Sequence, residues 1–273
     1  MKVAYLGPKG TFSEEAALKY FSDEEITTID HGTILDVLEA VAEERVDKGI
    51  VPIENAIEGT ITMTTDGLTN YEVWVEGEAI LPVTLHLLTV EDANLENVKE
   101  VWSIPPALAQ CRTYTRELKA ETKHYSSTAQ AAESLKNEDR LDAGAIASEL
   151  AAKTFGLKIA KSNIQDFEGN STRFLILSKK EAEKGVAEKT MLLVTPTEDR
   201  PGLLAVILNV FSSLGVNLTW IESRPTKVKL GTYRFFLEAG EGVHEKNLQK
   251  AITILETYGY DVRVLGSYNA KHL

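Results

Sequence analysis

Between Ser178 and Lys189 the chain reads Ser-Lys-Lys-Glu-Ala-Glu-Lys-Gly-Val-Ala-Glu-Lys, a charged run broken by Gly185 that separates two different apolar patterns. A run of this kind buries too little to join a core and reads as a connector. Before it, strand-like and helix-like segments alternate. The strand from Lys2 to Leu6 leads through a glycine-containing loop to a helix from about Ser13 to Phe21. A second helix from Thr33 to Arg45 puts Ile34, Leu35, Leu38 and Val41 on one face, ahead of a strand from Gly49 to Ile53. Strands are also predicted at Val83 to Val90, Val101 to Ile104, Ala143 to Ala147 and Arg173 to Ser178, with helices at Pro106 to Leu118, Thr128 to Lys136 and Ser148 to Phe155. This alternation predicts an α/β fold with a parallel or mixed sheet covered on both faces. After the charged run the order is βαββαβ, a ferredoxin-like unit, with strands at Thr190 to Thr195, Asn217 to Ser223, Thr232 to Glu238 and Asp261 to Leu265 around helices at Gly202 to Leu214 and His244 to Tyr258. Two domains are expected, residues 1–182 and 188–270, and the open edges of the small sheet favour pairing with another copy.

Composition narrows the function. With 43% hydrophobic and 26% charged residues in 273, and no apolar run of bilayer length, a membrane role is not expected. The 29 basic and 41 acidic residues give a net charge of −12, which repels phosphate backbones, so nucleic acid is not an expected partner. The same field repels small anions, and a site for one needs local compensation from Arg, Lys or helix N-termini. The single cysteine, Cys111, rules out an intrachain disulfide, and Met1 leads into Val3-Ala4-Tyr5-Leu6 without a leader pattern, which points to the cytoplasm. The histidines (His31, His86, His124, His244, His272) are scattered singly, so no metal site is expected.

Candidate chemistry sits in the loops. Gly7-Pro8-Lys9-Gly10-Thr11-Phe12-Ser13 joins a strand to a helix, and Thr11 with Glu14 has capping-box spacing; it reads either as an anion site of backbone N–H groups, hydroxyls and Lys9 or as a tight turn. It lacks the spacing of a nucleotide-binding loop. Val51-Pro52-Ile53-Glu54-Asn55 ends a strand with a carboxylate and an amide, the place where open α/β sheets bind ligands. Ser103, Gln110 with Cys111, and Ser126-Ser127-Thr128 are polar groups at helix starts or on helices. Asn170-Ser171-Thr172-Arg173-Phe174 brings an arginine to the start of an apolar strand, where it needs a partner: a bound carboxylate, or Glu54, Asp166 or Glu168. No Ser/His/Asp or Cys/His constellation is present among these loops.

Taken in order, these motifs, together with Ser127-Thr128-Ala129 and Gly144-Ala145-Ile146-Ala147-Ser148, resemble those of the prephenate dehydratase family through almost the whole chain. The C-terminal part resembles an ACT regulatory domain through Arg200-Pro201-Gly202-Leu203-Leu204 and Asn217-Leu218-Thr219-Trp220-Ile221-Glu222-Ser223-Arg224-Pro225. The resemblance implies a catalytic part like a type II periplasmic binding protein, with one lobe at residues 1–78 and 160–182, a second at 79–159, and the site between them. It implies conversion of prephenate to phenylpyruvate, with no cofactor and no metal. Thr172 is then the expected catalytic hydroxyl, Arg173 a carboxylate ligand, and Glu54, Asn55, Ser103 and Gln110 further catalytic residues. Thr11, Phe12, Ser13, Ser126, Ser127, Thr128 and Phe174 are expected around the substrate. Ile104 and Pro106 stand where the family has His and Gln.

For the ACT part, the resemblance implies L-phenylalanine as effector, bound by Gly202, Leu203, Leu204, Ala205, Asn217, Leu218, Glu222, Ser223, Arg224 and Pro225 between subunits of a homodimer or homotetramer. Leu203 replaces a common Ala, and Trp220 a common Lys or Arg. Two other readings stand beside this one: arogenate as substrate, and a ligand sensor on the same two-lobed fold.

Overall fold

The computed structural model describes residues 1–181, 186–198 and 200–273, so the join expected at residue 182 lies outside the described residues. The chain opens with β1 (Lys2–Leu6), α1 (Phe12–Tyr20), β2 (Thr27–His31), α2 (Ile34–Ala42), β3 (Lys48–Asn55), β4 (Gly59–Thr60), α3 (Thr62–Asn70) and β5 (Trp74–Pro82). It crosses to β6 (His86–Thr89), β7 (Glu100–Ser103), α4 (Pro105–Gln110), α5 (Arg112–Leu118), β8 (Glu121–His124), α6 (Thr128–Glu138), β9 (Ala143–Ala147), α7 (Glu149–Phe155) and β10 (Lys158–Lys161). It then returns as β11 (Ser171–Ser178). The C-terminal module follows as β12 (Lys189–Pro196), α8 (Leu203–Ser213), β13 (Leu218–Pro225), β14 (Tyr233–Ala239), α9 (Lys246–Thr257), β15 (Tyr260–Tyr268) and β16 (Ala270–His272). No helix among the described residues is long and apolar enough to cross a membrane.

The first lobe is a mixed sheet in the order β16-β5-β11-β3-β1-β2, with β4 paired to β3; the second is β10-β6-β9-β7-β8; the module's sheet is β13-β14-β12-β15. Central strands are apolar throughout, as in Val3-Ala4-Tyr5 and Phe174-Leu175-Ile176-Leu177, because both faces are covered. The expected lobe break at residues 78/79 falls inside β5. That strand pairs with β11 from Trp74 to Pro82, so all of it belongs to the first sheet and the chain crosses at Val83 to Leu85. The two crossing segments bond to each other, Val83 N–H to the Asn170 carbonyl at 2.9 Å.

Alternation along β12 and β11 joins the module to the first lobe. Leu192 and Val194 face the module's own helices with Ile207, Phe211 and Leu248. Met191 and Leu193 face the other way, into a core that holds Leu175 and Leu177 of β11, Val37 and Leu38 of α2, Leu68 of α3, and Trp220, Phe236 and Leu265 of the module. The two domains thus share one apolar core. Beyond the expected end of the module at residue 270, β16 returns to the first sheet as a parallel partner of β5, Ala270 opposite Glu78 and His272 opposite Ile80.

The helix expected from Pro106 to Leu118 is broken at Cys111. The Asp166 carboxylate accepts from the Thr113 N–H at 3.2 Å, satisfying a donor of the new helix start.

Candidate active site

A cleft of about 630 Å³ opens between the two lobes. Of the expected residues, Thr11, Phe12, Ser13, Asn55, Gln110, Ser126, Ser127, Thr128 and Thr172 line it. Sequence reading missed Asp30, His31 and Gly32 at the end of β2, Glu58 and Ile61 after β3, Val83, Leu85 and Asn170 in the crossings, and Gln130 and Glu133 on α6. The placement of Asp30 and His31 follows from position alone, since β2 lies parallel to β1 and ends at the same edge.

Three helices begin at this cleft: α1 at Phe12, α4 at Pro105 and α6 at Thr128. The first turns of α1 and α6 offer N–H groups and a positive dipole end to the space, whereas α4 begins with Pro105-Pro106, which carry no N–H. No Lys or Arg is among the described lining residues, whereas Asp30, Glu58 and Glu133 are. Lys9, considered with this loop, is exposed and does not line the cleft. An anion held here therefore depends on helix N-termini, hydroxyls and amides.

The Gly10 loop also meets the second lobe. Ser148 donates to the Gly10 carbonyl at 3.2 Å. At φ +81°, a Cβ on Gly10 would lie 3.0 Å from the Phe155 ring and 3.3 Å from the Ala151 backbone, so conformation and space both call for glycine. Thr11 caps α1 by accepting from the Glu14 N–H and donates its own proton to the Leu6 carbonyl at 3.1 Å. The Glu14 carboxylate reaches one residue further back than a capping box requires, accepting from the Gly10 N–H at 2.6 Å. Below it lies the Tyr5 hydroxyl, which burial and the nearby Glu14 and Asp30 carboxylates hold well above the usual phenol range.

At the centre of the cleft floor, Asn55 and Thr172 are cross-strand neighbours on β3 and β11. The Asn55 amide donates to the Thr172 Oγ1 at 3.0 Å, and its own carbonyl accepts from the Ile57 and Glu58 N–H groups. The amide is thereby oriented, and the threonine oxygen is occupied as an acceptor while its proton remains available to the cleft. From the second lobe, Gln110 accepts from Asn170 at 2.9 Å and donates to Glu58 at 3.4 Å, linking both lobes and one crossing.

Four expected residues lie elsewhere. Because side chains alternate on a strand, Arg173 and Glu54 point to the back of the sheet when Thr172 and Asn55 point to the front. There Arg173 pairs with Glu54 at 3.3 Å, as one reading of the sequence allowed, and also with Glu78 and Glu238. Phe174 is 1% exposed and packs with Tyr5, Ala16 and Ile176 in the core under α1, on the same face of the sheet as Thr172 but away from the cleft. Ser103 is fully buried on β7 and donates to the Ile146 carbonyl at 2.7 Å, satisfying itself inside the second sheet.

In the C-terminal module Gly202 starts α8 in the left-handed region at φ +80°, with Leu204 and Ala205 exposed and Leu203 partly covered. Glu222, Ser223 and Pro225 lie on β13, an edge of the module's sheet, and the Asn217 carbonyl and Leu218 help pin that strand's start. Arg224, on the same strand, reaches the first lobe and donates to Asp66 at 2.9 Å.

Fold and cleft together define a two-lobed α/β enzyme that carries a regulatory-type βαββαβ module. Residues 3–182 match the prephenate dehydratase family and residues 193–257 the ACT domain. The prephenate dehydratase of Lactococcus lactis subsp. cremoris is 37% identical over 100% of this chain and 99% of its own length. A prephenate dehydratase from Arthrobacter aurescens, solved in complex with L-Phe, superposes with a TM-score of 0.91 at 34% identity, covering 98% of this chain and 90% of that one. GqqA, described as a novel type of quorum quenching acylase, superposes with a TM-score of 0.90 at 26% identity over 99% and 98% of the two chains, so the shape is shared beyond one reaction. The chain belongs to the prephenate dehydratase family, with an ACT domain toward its C-terminal end.

Proposed function

We propose that the cleft converts prephenate to phenylpyruvate, carbon dioxide and water, with the Thr172 hydroxyl assisting departure of the ring hydroxyl. The observation that carries the reading is the Asn55–Thr172 hydrogen bond on the cleft floor. Loss of carbon dioxide breaks a carbon–carbon bond and leaves its electron pair in the ring; the hydroxyl leaves from the opposite ring carbon and takes up a proton to become water. Thr172 is too weak an acid to give up its proton outright in the ground state. With its oxygen engaged by Asn55, it offers its proton as a hydrogen bond that strengthens as charge builds on the leaving oxygen. The proton consumed returns from solvent. The ring's new aromaticity supplies the driving force, so the protein's task is to hold the dianion and orient the breaking bonds.

Holding it falls to the N-termini of α1 and α6 and to Ser13, Ser126, Ser127 and Thr128, since the lining has no Lys or Arg among the described residues. Ile104 and Pro106 make part of the wall apolar, suited to the ring. L-Phenylalanine is the effector we assign to the ACT domain, at Gly202 to Ala205 and Glu222 to Pro225, where the exposed edge of β13 and the exposed Ile221 suit a second copy of the chain. Incubating the purified protein with prephenate and reading phenylpyruvate absorbance in alkali tests the activity; a parallel arogenate incubation tests the substrate. Turnover of arogenate alone would transfer the assignment to that compound, and turnover of neither would remove it.

A further inference from the structure

Behind Thr172, on the face turned away from the cleft, charged residues from both domains meet. Arg173 Nη2 lies 2.8 Å from Glu238 Oε2 and 3.4 Å from Glu78 Oε2, and Nη1 lies 3.3 Å from Glu54 Oε2. Lys189 Nζ lies 2.8 Å from Glu78 Oε1 and 3.4 Å from Glu238 Oε1. Arg173, Glu238, Lys189 and Glu78 therefore close a ring of alternating charge, with Glu54 at its rim. Both Glu78 and Glu238 are fully buried. The Thr219 and Tyr268 hydroxyls donate to Glu238 at 2.6 and 2.8 Å, so its carboxylate is held in place independently of the arginine. The Trp220 ring lies 5.7 Å from the guanidinium carbon.

Glu238, Lys189, Thr219, Trp220 and Tyr268 all belong to the C-terminal module, whereas Arg173 is the direct chain neighbour of Thr172. The β11–β3 register slips between Arg173 and Phe174, so at this point the β11 backbone is held by its ladder to β5, which runs in register from Ser171 to Ile176, more than by β3. The ladder to β5 holds the Arg173 backbone, and the ion ring holds its guanidinium. Burying so much charge stabilises little by comparison with apolar packing, and Leu175 and Leu177 already make an apolar contact with the module on the same strand. The ring gives direction: a planar fork fixed by carboxylates from two domains sets the rotation of the strand at residues 172 and 173.

We propose that Glu238, a residue of the ACT domain, is a positioning residue for the reaction: it holds Arg173 at the back of the sheet and so fixes the Thr172 hydroxyl at its front. The inference rests on the role given to Thr172 above. It also supplies a route for regulation, because β13, which carries Glu222 to Pro225, places Trp220 on Arg173, and β14 supplies Glu238. A ligand that shifts these two strands shifts the anchor of Thr172. Without the Glu238 charge, Glu54 and Glu78 draw the guanidinium across the sheet, and a displacement of about 1 Å at a catalytic group can cost as much as ~100-fold in rate.

The test compares kcat and KM for prephenate in Glu238→Gln with those of the unaltered protein and of Leu265→Ala, which weakens the shared core without touching the ion ring. Each protein is assayed at least about 20 °C below its own melting midpoint, so that folded enzyme is compared with folded enzyme. Glu238→Gln is expected to lower kcat about 10- to 100-fold with KM changed less than about threefold. Leu265→Ala is expected to lose thermal stability but keep kcat within about threefold. Should Glu238→Gln not fold, Glu238→Asp, which keeps the charge and retracts it by one methylene, is expected to lower kcat by a smaller factor at unchanged KM. Wild-type kcat in the Glu238 variant, or an equal loss in Leu265→Ala, overturns the inference while leaving the dehydratase reading intact. No turnover by the unaltered chain overturns both.

Discussion

Asn55 Nδ2 donates to Thr172 Oγ1 across 3.0 Å, from one strand of the cleft floor to the next. The direction of that bond matters more than its strength, because it leaves the threonine proton facing the substrate. Asn55→Asp reverses it: a carboxylate accepts from the hydroxyl and withdraws the proton from the cleft. The expected outcome is a loss of kcat of at least about 100-fold, larger than that of Asn55→Ala, with both variants melting within a few degrees of the wild type. If Asn55→Asp is the more active of the two, the hydroxyl does not act as a donor.

Phe174 and Ser103 test the site's borders. Phe174 sits in the core between the sheet and α1, so Phe174→Ala is expected to destabilise the protein by about 3–5 kcal/mol through lost burial and a cavity. Ser103→Ala removes a bond to the Ile146 carbonyl and is expected to cost about 1–3 kcal/mol. Chemical denaturation measures both, and KM for the substrate should stay within about threefold in whatever fraction remains folded. A large rise in KM with unchanged stability would return either residue to the cleft.

These two residues also show how far sequence reading reached. The α/β alternation and the βαββαβ order were legible because apolar periodicity reports local structure directly. That Ser13, Ser127 and Thr128 stand near helix starts was legible for the same reason, whereas their place around a substrate came from the family resemblance. Face assignment on β11 was not: Thr172, Arg173 and Phe174 are consecutive, and alternation requires that at least one turn its back on the cleft, but the motif does not say which. Strand β5 was invisible because Glu76, Gly77 and Glu78 interrupt it, and Glu78 is bearable in a core only beside Arg173 and Lys189, the latter 111 residues later. Helix α3, Thr-Met-Thr-Thr-Asp-Gly-Leu-Thr-Asn, has poor intrinsic propensity and is held by tertiary contacts, with Leu68 in the shared core and the Thr64 hydroxyl on the Pro52 carbonyl.

The pairing of Asp66 with Arg224 and Lys227 ties the ACT domain to α3. Burial alone would raise the Asp66 carboxyl, but hydrogen bonds and charge from the two cations bring it below the usual carboxylate range. A group depressed in the folded state contributes stability above its unfolded value, near pH ~3.9, and loses it as pH falls through the folded one. Asp66→Asn is therefore expected to melt below wild type at pH 7, with the gap closing as pH falls below about 4. Equal melting temperatures at pH 7 would show that the pair carries nothing.

Cys111 is fully buried, and burial, then the nearby Asp166 carboxylate, push its thiol up to about 12. The thiolate needed for alkylation is accordingly scarce. Iodoacetamide at pH 8 is expected to leave the native protein unmodified by mass spectrometry and to modify it fully in denaturant. Modification of the native protein at a rate similar to the denatured one contradicts the packing of α4 and α5 around it.

The central claim, a dehydratase whose leaving-group assistance comes from Thr172, is tested most directly by phenylpyruvate formation from prephenate in the unaltered chain and in Thr172→Ala. The account expects steady turnover in the first and a kcat lower by at least about 100-fold in the second, with KM changed only a few-fold. Equal kcat in the two proteins would contradict it.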